Sequence, residues 1–169
     1  MSNIGKLKIH IPSSLKIVKT DFDLDFFTLK FIGNLGTISI NLPKSLIVNI
    51  TGDIVTILAT KVDKVMWGTS RNLIKQAIIG VSTGYTKKLE VIGIGYKITF
   101  NNNVLTFYLG KSHPVQVPVI DLIKVNLVNS TTITATSISI PLLTNYLHRI
   151  RQIKPATKDH YKGKGIRVI

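Results

Sequence analysis

The chain has 169 residues and carries 22 Lys and Arg against 8 Asp and Glu, a formal net charge of +14, so it holds one medium domain or two small ones and is biased toward anionic partners. Hydrophobic residues make up 44 %, which excludes intrinsic disorder despite the charge. Lys44, Asp53, Lys61 and Lys64 interrupt the most apolar region and leave no membrane span of roughly 18 to 20 residues.

Cysteine is absent, which removes disulfide scaffolds, thiolate nucleophiles and cysteine-based zinc sites. His10, His113, His148 and His160 are scattered, and no metal or other cofactor is expected. Residues 1–12 have neither an apolar core nor an Arg-rich amphipathic pattern, so no leader peptide is expected.

The first half predicts short strands at 7–11, 28–31, 37–42, 46–50 and 54–59, rich in β-branched residues and separated by turn signals at Gly33-Asn34, Gly36, Pro43 and Gly52-Asp53. They are expected to form one antiparallel meander. After Trp67-Gly68 the period becomes helical, with Leu73, Ile74, Ala77 and Ile78 on one face and Thr69 or Ser70 placed to cap.

The second half repeats the plan. Strands are predicted at 89–94, 96–100, 104–109, 115–119, 124–128 and 132–136, with Asn101-Asn102-Asn103 as a hairpin turn, then a helix containing Leu143, Leu147 and Ile150. With Gly33 set on Gly110, the apolar positions Ile38, Ile40, Leu42, Leu46, Val48 and Ile50 fall on Val115, Val117, Val119, Ile123, Val125 and Leu127. One residue dropped near Gly52 brings 56–60 onto 132–136. The reading is an internal duplication: an α+β chain of two tandem similar domains, 1–82 and 83–169, each an antiparallel sheet with one main helix packed on it.

Enzymatic motifs fail one by one. Asp21, Asp23 and Asp25 resemble the start of a calcium loop, but Phe26 and Ile32 stand where it needs Gly and Glu. Gly110-Lys111-Ser112 imitates a phosphate-binding loop with Leu105 where its first glycine belongs, and Gly93-Ile94-Gly95 lacks the third glycine of a dinucleotide fingerprint. Those two glycines are expected to allow a bend or a close backbone approach. Ser112 beside His113 has only Glu90, Asp121 and Asp159 as acidic companions in its half, too little for a nucleophile and its base, so no enzyme is expected.

Charge carries the remaining signal. Residues 1–80 have net charge +5 and residues 81–169 net +9, concentrated in Arg149, Arg151, Lys154, Lys158, Lys162, Lys164 and Arg167. In Tyr161-Lys162-Gly163-Lys164-Gly165-Ile166-Arg167 the lysines supply charge, the glycines permit close approach and Tyr161 can stack, which suits a nucleic-acid backbone better than a solvated tail or an anionic membrane. Lys87-Lys88 and Lys111 with His113 are further basic sets.

Four motifs in order carry a resemblance: Ser2-Asn3-Ile4-Gly5-Lys6 with Ile9, Ile11 and Pro12; Gly80-Val-Ser-Thr-Gly-Tyr-Thr-Lys-Lys-Leu-Glu-Val-Ile-Gly-Ile-Gly-Tyr96; Leu109-Gly-Lys-Ser-His-Pro-Val115; and Tyr161 to Arg167. The chain resembles the universal large-subunit ribosomal protein "L six" family in its bacterial and organellar form. The resemblance implies a structural constituent of the large subunit, binding large-subunit (23S-like) rRNA near the stalk base and sarcin-ricin loop, beside neighbouring large-subunit proteins and close to translation elongation factors. No homo-oligomer is implied.

Carried over, the motifs place Lys87, Lys88, Lys111, Ser112, His113, Tyr161, Lys162, Gly163, Lys164, Gly165 and Arg167 at RNA; Arg71, Lys97, Arg149, Arg151, Lys154 and Lys158, outside those motifs, are a second set of candidates by charge. Family members often have an aromatic residue where Lys111 stands, and many continue past Arg167 in a basic tail. The alternative is a basic RNA-binding module of a non-ribosomal RNA-processing complex. Ile, Lys and Thr are abundant while Ala and Arg are scarce, as AT-rich codons would give. This suggests a mitochondrion-encoded copy, with a plastid or the bacterial cytoplasm as alternatives.

Overall fold

The computed structural model describes residues 6–21, 25–59, 64–156 and 163–169. The chain forms two compact units, Met1–Gly84 and Tyr85–Ile169.

In the first unit, β1 (Ile9–His10), β2 (Lys16–Asp21), β3 (Phe26–Gly33), β4 (Gly36–Pro43), β5 (Leu46–Thr51) and β6 (Ile54–Ala59) precede α1 (Lys64–Ser82). Strand alternation sends Phe27, Leu29 and Phe31 of β3 inward. The expected single meander is corrected to two antiparallel sheets, β2-β3-β4 and β1-β6-β5. β4 ends at Pro43, which has no N–H to continue a ladder, and β5 then pairs with β6. The unforeseen β2 is an edge strand whose Lys16, Val18 and Lys19 are exposed, so it lacks the apolar alternation that reveals a strand.

α1 packs on β3, β4 and β6. Its start is also corrected: it opens at Lys64, with Gly68, Thr69 and Ser70 inside it. The buried Trp67 donates its indole N–H to the Ile57 carbonyl on β6 at 2.8 Å. That anchorage outweighs the roughly 1 kcal/mol a helical glycine costs. Trp67, Ile74, Ala77, Ile78 and Val81 form the buried stripe.

The second unit comprises β7 (Tyr85–Ile92), β8 (Lys97–Asn101), β9 (Val104–Tyr108), β10 (Val115–Pro118), β11 (Ile123–Asn129), β12 (Thr132–Ser137), α2 (Ile140–Ile153) and β13 (Gly165–Val168). Its sheets are β8-β9-β10 and β11-β12-β7-β13, antiparallel throughout. Asn102 and Asn103 take φ of 49° and 59°, both left-handed, as a two-residue hairpin turn between β8 and β9 requires. Leu89, Val91, Phe107, Ile133, Leu143, Leu147, Ile150 and Ile166 close one core between the strands and α2.

Strand for strand, the units share a plan. The first strand pairs with the sixth and the sixth with the fifth, the second to fourth form a separate sheet, and a helix follows. The hairpin turns refine the alignment, because Thr51↔Ile54 and Asn129↔Thr132 close equivalent turns. Ile54, not Thr56, therefore stands opposite Thr132. A shift of two leaves every side chain on its own face, which period-2 patterning cannot detect.

An open apolar groove of about 320 Å³ lies between β10 and α2, lined by Val115, Val117, Pro118, Ile120, Tyr146 and Ile153, with Arg149 beside it. Tyr146 donates to the Pro118 carbonyl at 3.2 Å, and burial pushes its hydroxyl up to about 12. Between the ordinary tyrosine value near 10 and about 12, the unfolded chain gives up this proton while the native one keeps it. This contribution to stability is therefore complete below pH 10 and is lost as pH rises toward 12. Chemical denaturation at a series of pH values should show a steeper alkaline decline in the wild type than in Tyr146→Phe; equal slopes would contradict the assignment.

Candidate nucleic-acid interface

The basic residues of the second unit fall in separate places, and β7 explains why. Successive side chains of β7 point to opposite faces of its sheet. Leu89 and Val91 enter the core. Lys87 shares their face and donates to the Thr144 hydroxyl of α2 at 3.1 Å. Lys88 and Glu90 take the opposite face, joined by Arg167, which pairs directly with Glu90. Lys88 and Arg167 are exposed there.

The same face holds an exposed cation that sequence reasoning missed. Lys124 of β11 pairs with Thr136 of β12, and Asn126 with Thr134, which in turn pairs with Lys88. Lys124 is exposed between buried Ile123 and Val125, so the alternation Ile-Lys-Val-Asn was the available signal. Lys88, Lys124 and Arg167 thus stand on a threonine-rich sheet face away from α2.

The second grouping surrounds the carboxyl end of α2. Residues 110–114 connect β9 to β10 and expose Lys111, Ser112 and His113. Lys111 Nζ donates to the Ile153 carbonyl at 3.1 Å, an acceptor at the negative end of the helix dipole. The chain returns there before β13: the Ile166 amide donates to the Lys154 carbonyl at 2.8 Å, and Ile166 forms a parallel bridge with Pro155. This brings Gly163 and exposed Lys164 to the same end of the helix as exposed Arg151. Tyr161, Lys162 and Lys158 lie outside the described residues.

Several sequence candidates are engaged by groups of the protein itself. Arg71 is buried in the first unit and donates from Nε to the Leu7 carbonyl at 3.2 Å. Lys97 sits 4.9 Å from the centroid of the Tyr108 ring. Lys154 donates to the Leu109 carbonyl at 2.8 Å and to the Tyr96 hydroxyl. Arg149 borders the groove. Gly165 is buried, and a side chain there would put its Cβ 2.6 Å from the Ala156 Cα and N. Its glycine is required by the neighbouring backbone.

Among the described residues no group of His, Asp and Glu could hold a metal ion, and no helix is long and apolar enough to cross a membrane. Fold and surface together define a strongly basic, duplicated α+β protein with exposed cations on two surfaces of its second unit. No protein-family model matches the chain, whereas curated relatives align over nearly all of it. It is 36 % identical to large ribosomal subunit protein uL6c of Pyropia yezoensis, across 99 % of this chain and 91 % of that protein. It is 32 % identical to uL6 of Microcystis aeruginosa, across 100 % and 87 %, and 29 % identical to uL6 of Malacoplasma penetrans, across 98 % and 89 %. The chain belongs to the uL6 family of large ribosomal subunit proteins. It is accordingly not an enzyme.

Gly165 has φ of +147° as well as the crowded neighbour. Gly165→Ala should therefore lower unfolding free energy by roughly 2 to 4 kcal/mol, from strain added to overpacking. Urea denaturation checks this, and a change within about 0.5 kcal/mol would contradict the packing argument.

Proposed function

We propose that this chain is a structural constituent of the large ribosomal subunit that binds large-subunit rRNA mainly through residues 83–169. The observation that carries the reading is the gathering of Lys111, Arg151 and Lys164 around the carboxyl end of α2 in a member of the uL6 family. Lysine and arginine there would neutralise phosphates, and Gly163 lets the backbone come close. Lys88, Lys124 and Arg167 would serve a second stretch of phosphates. Recognition would rest on shape, because A-form grooves hide base edges from side chains.

The proposed location is the stalk base near the sarcin-ricin loop, beside neighbouring large-subunit proteins and within reach of elongation factors. Support for it comes from the motifs of residues 80–96, 109–115 and 161–167. AT-type residue usage supports an organelle-encoded, mitochondrial copy. The relatives named uL6c and the bacterial uL6 proteins weigh toward the plastid or bacterial alternative.

The test is binding of Lys162→Ala/Lys164→Ala to a large-subunit rRNA fragment across a salt series. Affinity should fall about tenfold, with the slope of log K against log salt shallower by roughly one to two and the melting temperature nearly unchanged. Unaltered affinity and slope in a folded variant would remove these residues from the interface. Co-sedimentation with large subunits through moderate salt is expected. A protein confined to the gradient top would favour the RNA-processing alternative.

A further inference from the structure

We propose that Tyr96 and Lys154 are positioning residues, a clamp that fixes residues 110–114 against the carboxyl end of α2 so that phosphate-binding groups are arranged before RNA arrives. The proposal rests on the RNA-binding reading above.

Lys154 stands where α2 ends, and its half-buried ammonium is held by the protein's own acceptors. It donates to the Tyr96 hydroxyl and to the Leu109 carbonyl at 2.8 Å, and lies 4.7 Å from the centroid of the Tyr96 ring. The Lys154 carbonyl accepts the Ile166 amide at 2.8 Å. One residue thereby ties together the β7–β8 connection, the end of β9, the end of α2 and β13. Leu109 immediately precedes the loop, so the Lys154 bond holds its first pivot. Two residues on, Lys111 bonds the Ile153 carbonyl at 3.1 Å, holding the loop a second time to the same helix end.

The glycines around Tyr96 point the same way. A Cβ on Gly93 would lie 2.4 Å from the Tyr96 ring, and one on Gly110 would lie 3.2 Å from it. Gly110 also takes φ of +66°, a left-handed conformation that glycine adopts at no steric cost. The ring is therefore seated against two glycines from two connections, one of which opens the loop. An aromatic ring with few rotamers and a half-buried ammonium held by two acceptors make a stiff joint. A loop ordered beforehand loses less conformational freedom on binding. Lys154, counted by charge alone as a phosphate contact, acts through the loop instead.

Tyr96→Phe removes one acceptor and no charge, whereas Lys154→Met removes the charge and keeps most of the stem. In the free proteins, hydrogen exchange of the amides of residues 110–113 should rise about tenfold in both variants while melting temperatures stay close to wild type. On a large-subunit rRNA fragment both should bind about five- to tenfold more weakly, and the double variant should be no worse than either single one. The salt slope of Tyr96→Phe should equal that of the wild type.

Unchanged exchange in both variants would overturn the clamp. So would a Lys154→Met protein whose salt slope drops by roughly 0.7 to 0.9, one full phosphate contact, with the loop still protected. Failure of the wild-type protein to bind the fragment would instead overturn the RNA reading and the clamp's purpose with it, and the exchange data would still decide whether the joint exists.

Discussion

A chain with 22 cationic and 8 anionic side chains cannot neutralise itself with ion pairs, and much of the structure answers to that constraint. Several cations are met by carbonyl oxygens and ring faces instead. Arg71 takes the Leu7 carbonyl, Lys111 the Ile153 carbonyl, and Lys154 the Leu109 carbonyl with the Tyr96 hydroxyl. Lys19 and Lys97 lie over Phe27 and Tyr108 at 4.8 and 4.9 Å. These acceptors orient a cation without cancelling its charge, so the net field survives for a polyanion to neutralise. A carboxylate at each place would have cancelled that field.

The same economy connects motifs that lie far apart in the chain. The motif at 80–96 and the one at 161–167 meet as neighbouring strands, since β7 pairs with β13 from Gly165↔Ile92 to Val168↔Leu89. β7 lies between β12 and β13, and its inward residues Leu89 and Val91 join Ile166 in the core. The basic carboxyl-terminal segment is therefore anchored by an apolar residue, Ile166, and displays its charge from Lys164 and Arg167 on either side of that anchor. Alternation divides the cations between the helix side and the open face of the sheet, which is why one linear motif serves two surfaces.

Much of the fold was legible because period and turn chemistry are local. The Asn101 to Asn103 turn, the helical stripe of Leu143, Leu147 and Ile150, and the repeated strand plan all follow from residues close in sequence. What escaped depends on pairing and packing partners rather than on local pattern. β2 has exposed Lys16, Val18 and Lys19 and becomes a strand by pairing with β3. The start of α1 depends on an indole reaching the Ile57 carbonyl. The two-residue shift in the duplication was invisible because both registers bury the same face. Composition located the cations and could not tell Lys88, on an open sheet face, from Lys154, whose ammonium is held by the protein's own acceptors. That distinction belongs to acceptors supplied by Leu109 and Tyr96, more than 40 residues away.

Duplication explains the scaffold but not the interface. The two units repeat the same two-sheet plan with one helix, yet they differ in what lies beside the first strand. In the second unit β13 occupies the edge of β7, whereas in the first β1 is two residues long and pairs with β6 alone among the described residues. That added strand carries the chain back past the end of α2, where Lys154 and Pro155 receive Ile166. Without it, the loop at 110–114 and the helix end would still form a basic corner, but Gly163 and Lys164 would have no reason to be there. The concentration of charge in residues 81–169 is thus paired with a strand, β13, that has no counterpart among the described residues of the first unit. The second unit differs from the first by a strand, β13, that Ile166 and Val168 tie to the core and that carries Gly163 and exposed Lys164 toward a helix end where Lys111 and Lys154 are already bonded to carbonyl oxygens.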